Sequence, residues 1–137
     1  MYEYRCKVVH IVDGDTVDVD IDLGFGVWMK KQRIRLYGID TPESRTRDLE
    51  EKKYGLAAKK FLTGMLDDEA GITLKTHKDK EGKFGRILGE LWRTTNYANQ
   101  SINEYMIEKH HAVRYMGQSK ESIEEDHIKN RELVNLI

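Results

Sequence analysis

The chain has 137 residues, a length typical of a single domain, and we expect residues 1–137 to form one domain with one core. Lys and Arg total 23 and Asp and Glu total 24, so the net charge of −1 excludes a globally basic surface. Any contact with a polyanion must then come from a local positive cluster. The single cysteine, Cys6, excludes an intrachain disulfide, and we expect it to be a small core residue.

Membrane insertion and secretion find no support in the sequence. No apolar run approaches the roughly 20 residues that a membrane-spanning helix needs. The first residues lack the apolar core of a signal peptide. We therefore expect a cytoplasmic protein with no membrane contact.

The first forty residues have the pattern of β-strands. Apolar and β-branched residues dominate 4–12, and an Asp-Gly-Asp turn signal follows. Residues 17–23 alternate Val, Ile or Leu with Asp, which is the period of a strand with one buried face. A third strand is predicted over 27–39, after a Gly-Phe-Gly turn. Three consecutive strands with short turns favour an antiparallel meander.

Apolar residues then recur at helical spacing. Their pattern predicts a helix of about four turns over 54–65. Strand patterns return at 72–77 and 86–92, with a glycine-containing hairpin loop predicted between them at 79–85.

Two capping-box signals predict two further helices. Ser101 and Glu104 have the required spacing, and Ser122 with Glu125 repeat it ahead of a C-terminal helix. The predicted order is β-β-β-α-β-β-α-α. Five antiparallel strands with an inserted helix indicate an α+β, mainly β fold: a five-stranded OB-like barrel with three helices.

Four polar clusters flank the predicted strands: Asp13-Gly14-Asp15-Thr16, Arg33-Ile34-Arg35, Asp40-Thr41-Pro42-Glu43 and Gly85-Arg86. Each alone is typical of a turn or a solvated strand face. Together they offer oxygen ligands for a hard cation and two arginines that can clamp a tetrahedral anion. A remaining carboxylate, Glu43, could orient or deprotonate a water. This combination indicates hydrolysis of phosphate esters.

The strings around these clusters resemble the staphylococcal nuclease (thermonuclease) family. They are Ile11-Val12-Asp13-Gly14-Asp15-Thr16-Val17, Arg35-Leu36-Tyr37-Gly38-Ile39-Asp40-Thr41-Pro42-Glu43, Lys53-Tyr54-Gly55 and Lys83-Phe84-Gly85-Arg86. The resemblance extends from about Tyr4 to the C-terminal helix. It implies a five-stranded OB-fold barrel with three helices, in agreement with the pattern of elements.

The resemblance also implies a metal site and a residue that serves the water. One Ca²⁺ would be bound by the carboxylates of Asp15 and Asp40 and by the backbone carbonyl of Thr41. Glu43 matches the family residue that activates or positions the attacking water.

The remaining matched positions concern the substrate. Arg35 and Arg86 match the pair that binds the scissile phosphate and stabilises the charge that gathers on it. Lys83, Phe84 and Tyr115 match residues beside the nucleotide. Phe84 stands where the family has a tyrosine, so the ring is kept and the hydroxyl is lost.

The activity that the resemblance implies is a calcium-dependent nuclease acting on DNA and RNA. It would act as a monomer, leave 3′-phosphates, prefer single strands and read little sequence, in a bacterial or phage setting. The alternative is a catalytically silent OB-fold module that binds nucleic acid. The presence of Asp15, Arg35, Asp40, Glu43 and Arg86 favours catalysis.

Other features are expected to be structural. The turn over 22–31 looks longer than in the family prototype and is either a substrate lip or an elaboration. His110 and His111 are adjacent, so on a helix they would point about a hundred degrees apart. His10, His77 and His127 lack partners at metal-binding spacing, and we expect them to be surface or packing residues.

Overall fold

The computed structural model describes residues 2–67, 71–77, 86–93 and 100–136. In these ranges the elements are β1 (Glu3–Asp13), β2 (Thr16–Gly24), β3 (Val27–Leu36), β4 (Ile39–Asp40), α1 (Leu49–Leu66), β5 (Ile72–His77), β6 (Arg86–Arg93), α2 (Ile102–Glu108), β7 (Val113–Arg114) and α3 (Lys120–Leu133). None of the helices in the described ranges is long and apolar enough to cross a membrane.

Five strands close into a barrel in the order β1-β2-β3-β6-β5. The predicted five-stranded barrel with three helices is confirmed. The prediction that all its strands are antiparallel is wrong, because β3 and β6 pair in parallel. A parallel pair needs a long crossover connection. The chain supplies one, since β4, α1 and β5 lie between β3 and β6.

A small second sheet branches from the barrel. The third strand was expected to reach residue 39, but β3 ends at Leu36 because Gly38 turns the chain with φ +76°. The next two residues form β4, in which Ile39 pairs with Arg114 and Asp40 with Val113 of β7. This pairing places Asp40 beside the end of β3.

The barrel interior is apolar, as the alternating pattern predicts. Val17, Val19 and Ile34 are fully buried, and Leu62 packs into the same core from α1. Cys6 belongs to this core, as expected, and burial raises the pKa of its thiol to about 12.

The helices begin at residues whose side chains cap them. Asp48 Oδ1 accepts from the amides of Glu50 and Glu51 at 3.1 and 3.2 Å, so α1 begins earlier than the apolar pattern predicts. Ser101 caps α2, as predicted, through a 3.1 Å bond from the Glu104 amide.

The N-cap predicted for α3 is wrong. Ser119 fills that position, and its hydroxyl accepts from the Ser122 amide at 3.2 Å. Ser122 therefore lies inside the first turn, because a serine oxygen bonds the amide three residues further along.

The hairpin between β2 and β3 is long in its strands and not in its turn. Gly24 pairs with Val27, which leaves a turn of two residues, Phe25 and Gly26, with φ +56° and +77°. Two positive φ values are the requirement of a type I′ turn. The expected long turn over 22–31 is thus wrong, and the tip residue Phe25 is fully exposed. Its role as a substrate lip stays a prediction.

Candidate active site

The end of the barrel where β2 begins and β3 ends brings the first two predicted site residues together. Thr16 pairs with Arg35 across the two strands, and the Leu36 amide donates to the Asp15 carbonyl at 2.8 Å. Antiparallel pairing of neighbouring strands therefore juxtaposes residues that are twenty positions apart in sequence.

Arg35 connects two carboxylates. Its Nη2 lies 3.5 Å from Oδ2 of Asp15 and 3.5 Å from Oδ1 of Asp40. Its Nη1 donates to the Leu36 carbonyl at 3.0 Å. The Arg35 side chain is only 17% exposed, so these charges interact in a partly desolvated environment. Because Asp15 Oδ2 and Asp40 Oδ1 each lie 3.5 Å from the same nitrogen, the two oxygens are at most twice 3.5 Å apart.

Thr41 completes this cluster through its backbone. Its amide donates to Asp15 Oδ2 at 3.2 Å. Burial raises the pKa of the Asp15 carboxyl, the Arg35 charge and the Thr41 hydrogen bond lower it in part, and the negative charge of Asp40 raises it again. The Thr41 hydroxyl is buried with no hydrogen-bond partner in the described part of the chain.

Glu43 lies beside the cluster and shares its negative potential. The residue is exposed overall, but partial burial of the carboxyl raises its pKa. The charges of Asp13, Asp15 and Asp40 raise it further. Asp13 is thus an acidic neighbour to which the sequence prediction gave no role.

The loop that carries Glu43 is packed against α1. A Cβ atom at Gly55 would lie 2.2 Å from the Glu43 carbonyl oxygen and 2.7 Å from the Ser44 nitrogen. Only a residue without a side chain allows so close an approach. The Lys53-Tyr54-Gly55 string therefore contains a glycine that sets the distance between helix and loop.

Arg86 lies on the same outer face of the barrel as Arg35 but outside the ion-paired cluster. It begins β6 opposite Arg33, and Arg35 pairs with Leu88 two residues further along. Arg33 Nε donates to Asp18 Oδ1 at 2.9 Å, so the guanidinium of Arg33 is already paired with a carboxylate. Arg86 is exposed and forms no ion pair with any described residue.

The predicted nucleotide-contacting residues are only partly described. Tyr115 is 41% exposed, and its amide donates to the Gly38 carbonyl at 2.8 Å, two residues before Asp40. Its backbone is thus held close to the strand that contains Asp40. Lys83 and Phe84, and the hairpin loop predicted at 79–85, lie outside the described residues.

The sequence prediction did not include a histidine that contacts the cluster. His127 of α3 lies with Nε2 2.8 Å from Oδ2 of Asp40. The prediction of a surface or packing residue agrees with its position, since α3 lies against the small sheet that contains Asp40 and the His127 side chain is 13% exposed, but the contact with Asp40 was not predicted. Its neighbours in the sequence give no signal of this contact.

The donor set agrees with the predicted metal. Among the described residues no group of three or more His, Cys, Asp or Glu side chains is arranged to hold a metal ion. The predicted set needs only two carboxylates, Asp15 and Asp40, with the carbonyl of Thr41. These are oxygen ligands of the kind that Ca²⁺ prefers; the two carboxylates share Arg35 Nη2 as a partner, and the Thr41 amide bonds one of them. The chemistry of Asp15, Asp40 and Thr41 therefore fits a bound Ca²⁺.

The barrel and its charged end define an α+β protein of the OB-like class with an active-site-like cluster. Residues 33–133 match the model of the family described as "Staphylococcal nuclease homologue". Because this match covers most of the chain, the protein belongs to the staphylococcal nuclease homologue family, as the resemblance predicted.

Individual relatives agree with this assignment. A thermonuclease of Staphylococcus hyicus is 30% identical over 73% of this chain and 55% of its own length. Protein ParB of Escherichia coli is 33% identical over 82% of this chain and 58% of its own. A micrococcal nuclease of Shigella flexneri is 29% identical over 84% and 62%. The chain spans about half the length of the curated relatives it matches.

Proposed function

We propose that this chain is a calcium-dependent nuclease that hydrolyses phosphodiester bonds of DNA and RNA and leaves 3′-phosphates, with little sequence specificity. The observation that carries the proposal is the meeting of Asp15, Asp40 and Arg35 at one end of the barrel, with Glu43 beside them. Family membership and nuclease-named relatives support the reaction class.

Asp15, Asp40 and the carbonyl of Thr41 would hold the Ca²⁺. Burial is the main cause of the raised pKa values of Asp15 and Glu43, and the negative charges gathered at this site add to it. A divalent cation would offset that charge. When bound, the ion would polarise the scissile phosphate and share the charge of the transition state.

Arg35 and Arg86 would bind the phosphate in complementary ways. Arg35 is held by two carboxylates and a carbonyl, so its position is fixed before substrate arrives. Arg86 is exposed and can approach the phosphate from the neighbouring strand. Guanidinium groups bond phosphate oxygens in pairs, and preorganised charge favours the five-coordinate transition state.

Glu43 would serve the attacking water. Its carboxylate accepts a proton from the water, whose oxygen forms a bond to phosphorus as the bond to the 5′ oxygen breaks. The departing 5′ oxygen takes a proton from solvent, and the phosphate stays on the 3′ side. A raised pKa brings the carboxyl closer to the pH at which proton acceptance is efficient.

The proposed substrate preference is for unpaired nucleotides. The exposed ring of Tyr115 offers a stacking surface, and base stacking on aromatic rings tolerates any sequence. Lys83 and Phe84 are proposed to act beside it. All these residues belong to one chain, so we propose that a monomer is active.

The test is cleavage of heat-denatured DNA in millimolar Ca²⁺ compared with the same protein in excess EDTA. We expect degradation to 3′-phosphate ends only with Ca²⁺. Cleavage that persists in EDTA would refute the metal site. No cleavage with Ca²⁺, Mg²⁺ or Mn²⁺ would instead favour a module that binds nucleic acid without cutting it.

Residue roles are tested in the same assay. Glu43→Gln, Arg35→Ala and Arg86→Ala should each lower the rate by on the order of a hundredfold or more. Glu43→Gln should keep its affinity for DNA, since the change removes a proton acceptor and no phosphate contact. Arg5→Ala is the control, because Arg5 is exposed near the opposite end of β1 from Asp13. Near-normal turnover in any of the first three variants would exclude that residue from catalysis.

A further inference from the structure

The C-terminal helix reaches the proposed active site through one side chain. His127 Nε2 lies 2.8 Å from Asp40 Oδ2, across 87 positions of sequence. The His127 side chain is 13% exposed, whereas α3, which lies wholly within the described range 100–136, has no fully buried residue. This helix therefore places a largely desolvated imidazole on an active-site carboxylate.

The two oxygens of the Asp40 carboxylate have different partners. Oδ1 lies 3.5 Å from Arg35 Nη2, and Oδ2 lies 2.8 Å from His127 Nε2. Because a carboxylate oxygen is an acceptor, Nε2 carries the hydrogen of this bond. The bond opposes rotation of the carboxylate about its terminal torsion. Oδ1 is thereby kept on the side that Asp40 shares with Arg35 and Asp15.

Neighbouring residues of α3 hold the helix that carries the imidazole in position. Asn130, almost one turn later, donates from Nδ2 to the backbone just before β7 at 3.1 Å. The guanidinium of Arg131 lies 5.3 Å from the ring centre of Tyr54 in α1. His127 Nδ1 is buried and has no hydrogen-bond partner among the described residues. Within that part of the chain, the ring's hydrogen bonding is directed to Asp40 alone.

We propose that His127 is a positioning residue that orients the Asp40 carboxylate for cation binding. The inference rests on the proposed function, in which Asp40 is a ligand of Ca²⁺. Loss of a hydrogen-bond partner behind a metal ligand typically costs about 10- to 100-fold in metal affinity or activity. A purely structural role, in which His127 only attaches α3 to the barrel, predicts a different set of results.

The experiment measures Ca²⁺ affinity without substrate. Amide chemical shifts of ¹⁵N-labelled protein are followed during a CaCl₂ titration, which also reports whether each variant is folded. His127→Gln can place an amide donor near the Nε2 position, whereas the shorter side chain of His127→Asn cannot. Asn130→Ala is the matched control, because it removes a tether of the same helix without touching Asp40.

We expect His127→Asn to weaken Ca²⁺ binding by about 10- to 100-fold. His127→Gln should restore most of the affinity, and Asn130→Ala should bind as the unmodified chain does. Equal affinity of His127→Asn and the unmodified chain would overturn the proposal, as would equal losses in His127→Asn and Asn130→Ala. An unmodified chain that binds no Ca²⁺ but cleaves DNA in EDTA would refute the metal site itself, and with it the positioning role.

Discussion

The helices α1 and α3 both contact the proposed active site, and they are held by different forces. α1 buries Gly55, Ala58, Leu62 and Leu66 against the barrel. α3 buries none of its residues, all of which lie in the described range 100–136.

Polar or charged contacts link α3 to the rest of the described structure. They include the bond from His127 to Asp40, the bond from Asn130 to the Ala112 carbonyl and the stacking of Arg131 on Tyr54. Burial of a large apolar side chain contributes about 1.5–3 kcal/mol, whereas a typical hydrogen bond contributes about 1 kcal/mol. The comparison predicts that α1 contributes more to the stability of the fold than α3 does.

The largest effect is expected from the core of α1. Leu62→Ala removes a fully buried side chain and should lower the free energy of unfolding by about 2–5 kcal/mol. Urea denaturation measures the loss. Leu133→Ala in α3 is the matched control, because that leucine is 61% exposed and the change should stay within about 0.5 kcal/mol. Equal losses in the two variants would show that α3 contributes to the core as α1 does.

An intermediate effect is expected where α1 meets the Glu43 loop. A Cβ at Gly55 would overlap the Glu43 backbone, so Gly55→Ala must displace loop or helix. We expect about 1–3 kcal/mol of destabilisation, typical of overpacking, and a drop in cleavage rate for the protein that remains folded.

The control for this change lies on the same helix. A Cβ at Gly64 meets nothing within 4 Å among the described residues, so Gly64→Ala should leave cleavage unchanged. Its stability should rise by up to about 1 kcal/mol, since alanine favours a helix over glycine. Normal turnover in Gly55→Ala would show that the position of Glu43 does not depend on this contact.

Local patterns in the sequence predicted most of the fold. Alternation of Val and Ile with Asp over 17–23 marks β2 because one face of that strand is buried. Ser101 marks the start of α2 because its hydroxyl bonds an amide three residues away. The parallel pairing of β3 and β6 was not predictable in this way, because no local pattern records which strands close a barrel.

The site residues were predictable where they lie near the ends of predicted strands and within sequence strings that resemble a known family. Asp15, Arg35 and Asp40 lie close to elements that the barrel brings together, and the resemblance gave them roles. His127 has no such string. Its contact with Asp40 depends on how α3 lies against the small sheet, a tertiary arrangement that spans 87 positions.

The smallest effect is expected from a single tether of α3. Asn130→Ala removes the bond from Nδ2 to the Ala112 carbonyl, worth about 1 kcal/mol at a partly exposed position. Because α3 buries none of its residues, this loss should appear as faster local opening. Native-state hydrogen exchange of amides within Lys120–Leu133 should accelerate about fivefold, with no change beyond the global loss in Leu49–Leu66. Equal acceleration in both helices would mean that they unfold as one unit, and the contrast between a packed and a tethered helix would then be wrong.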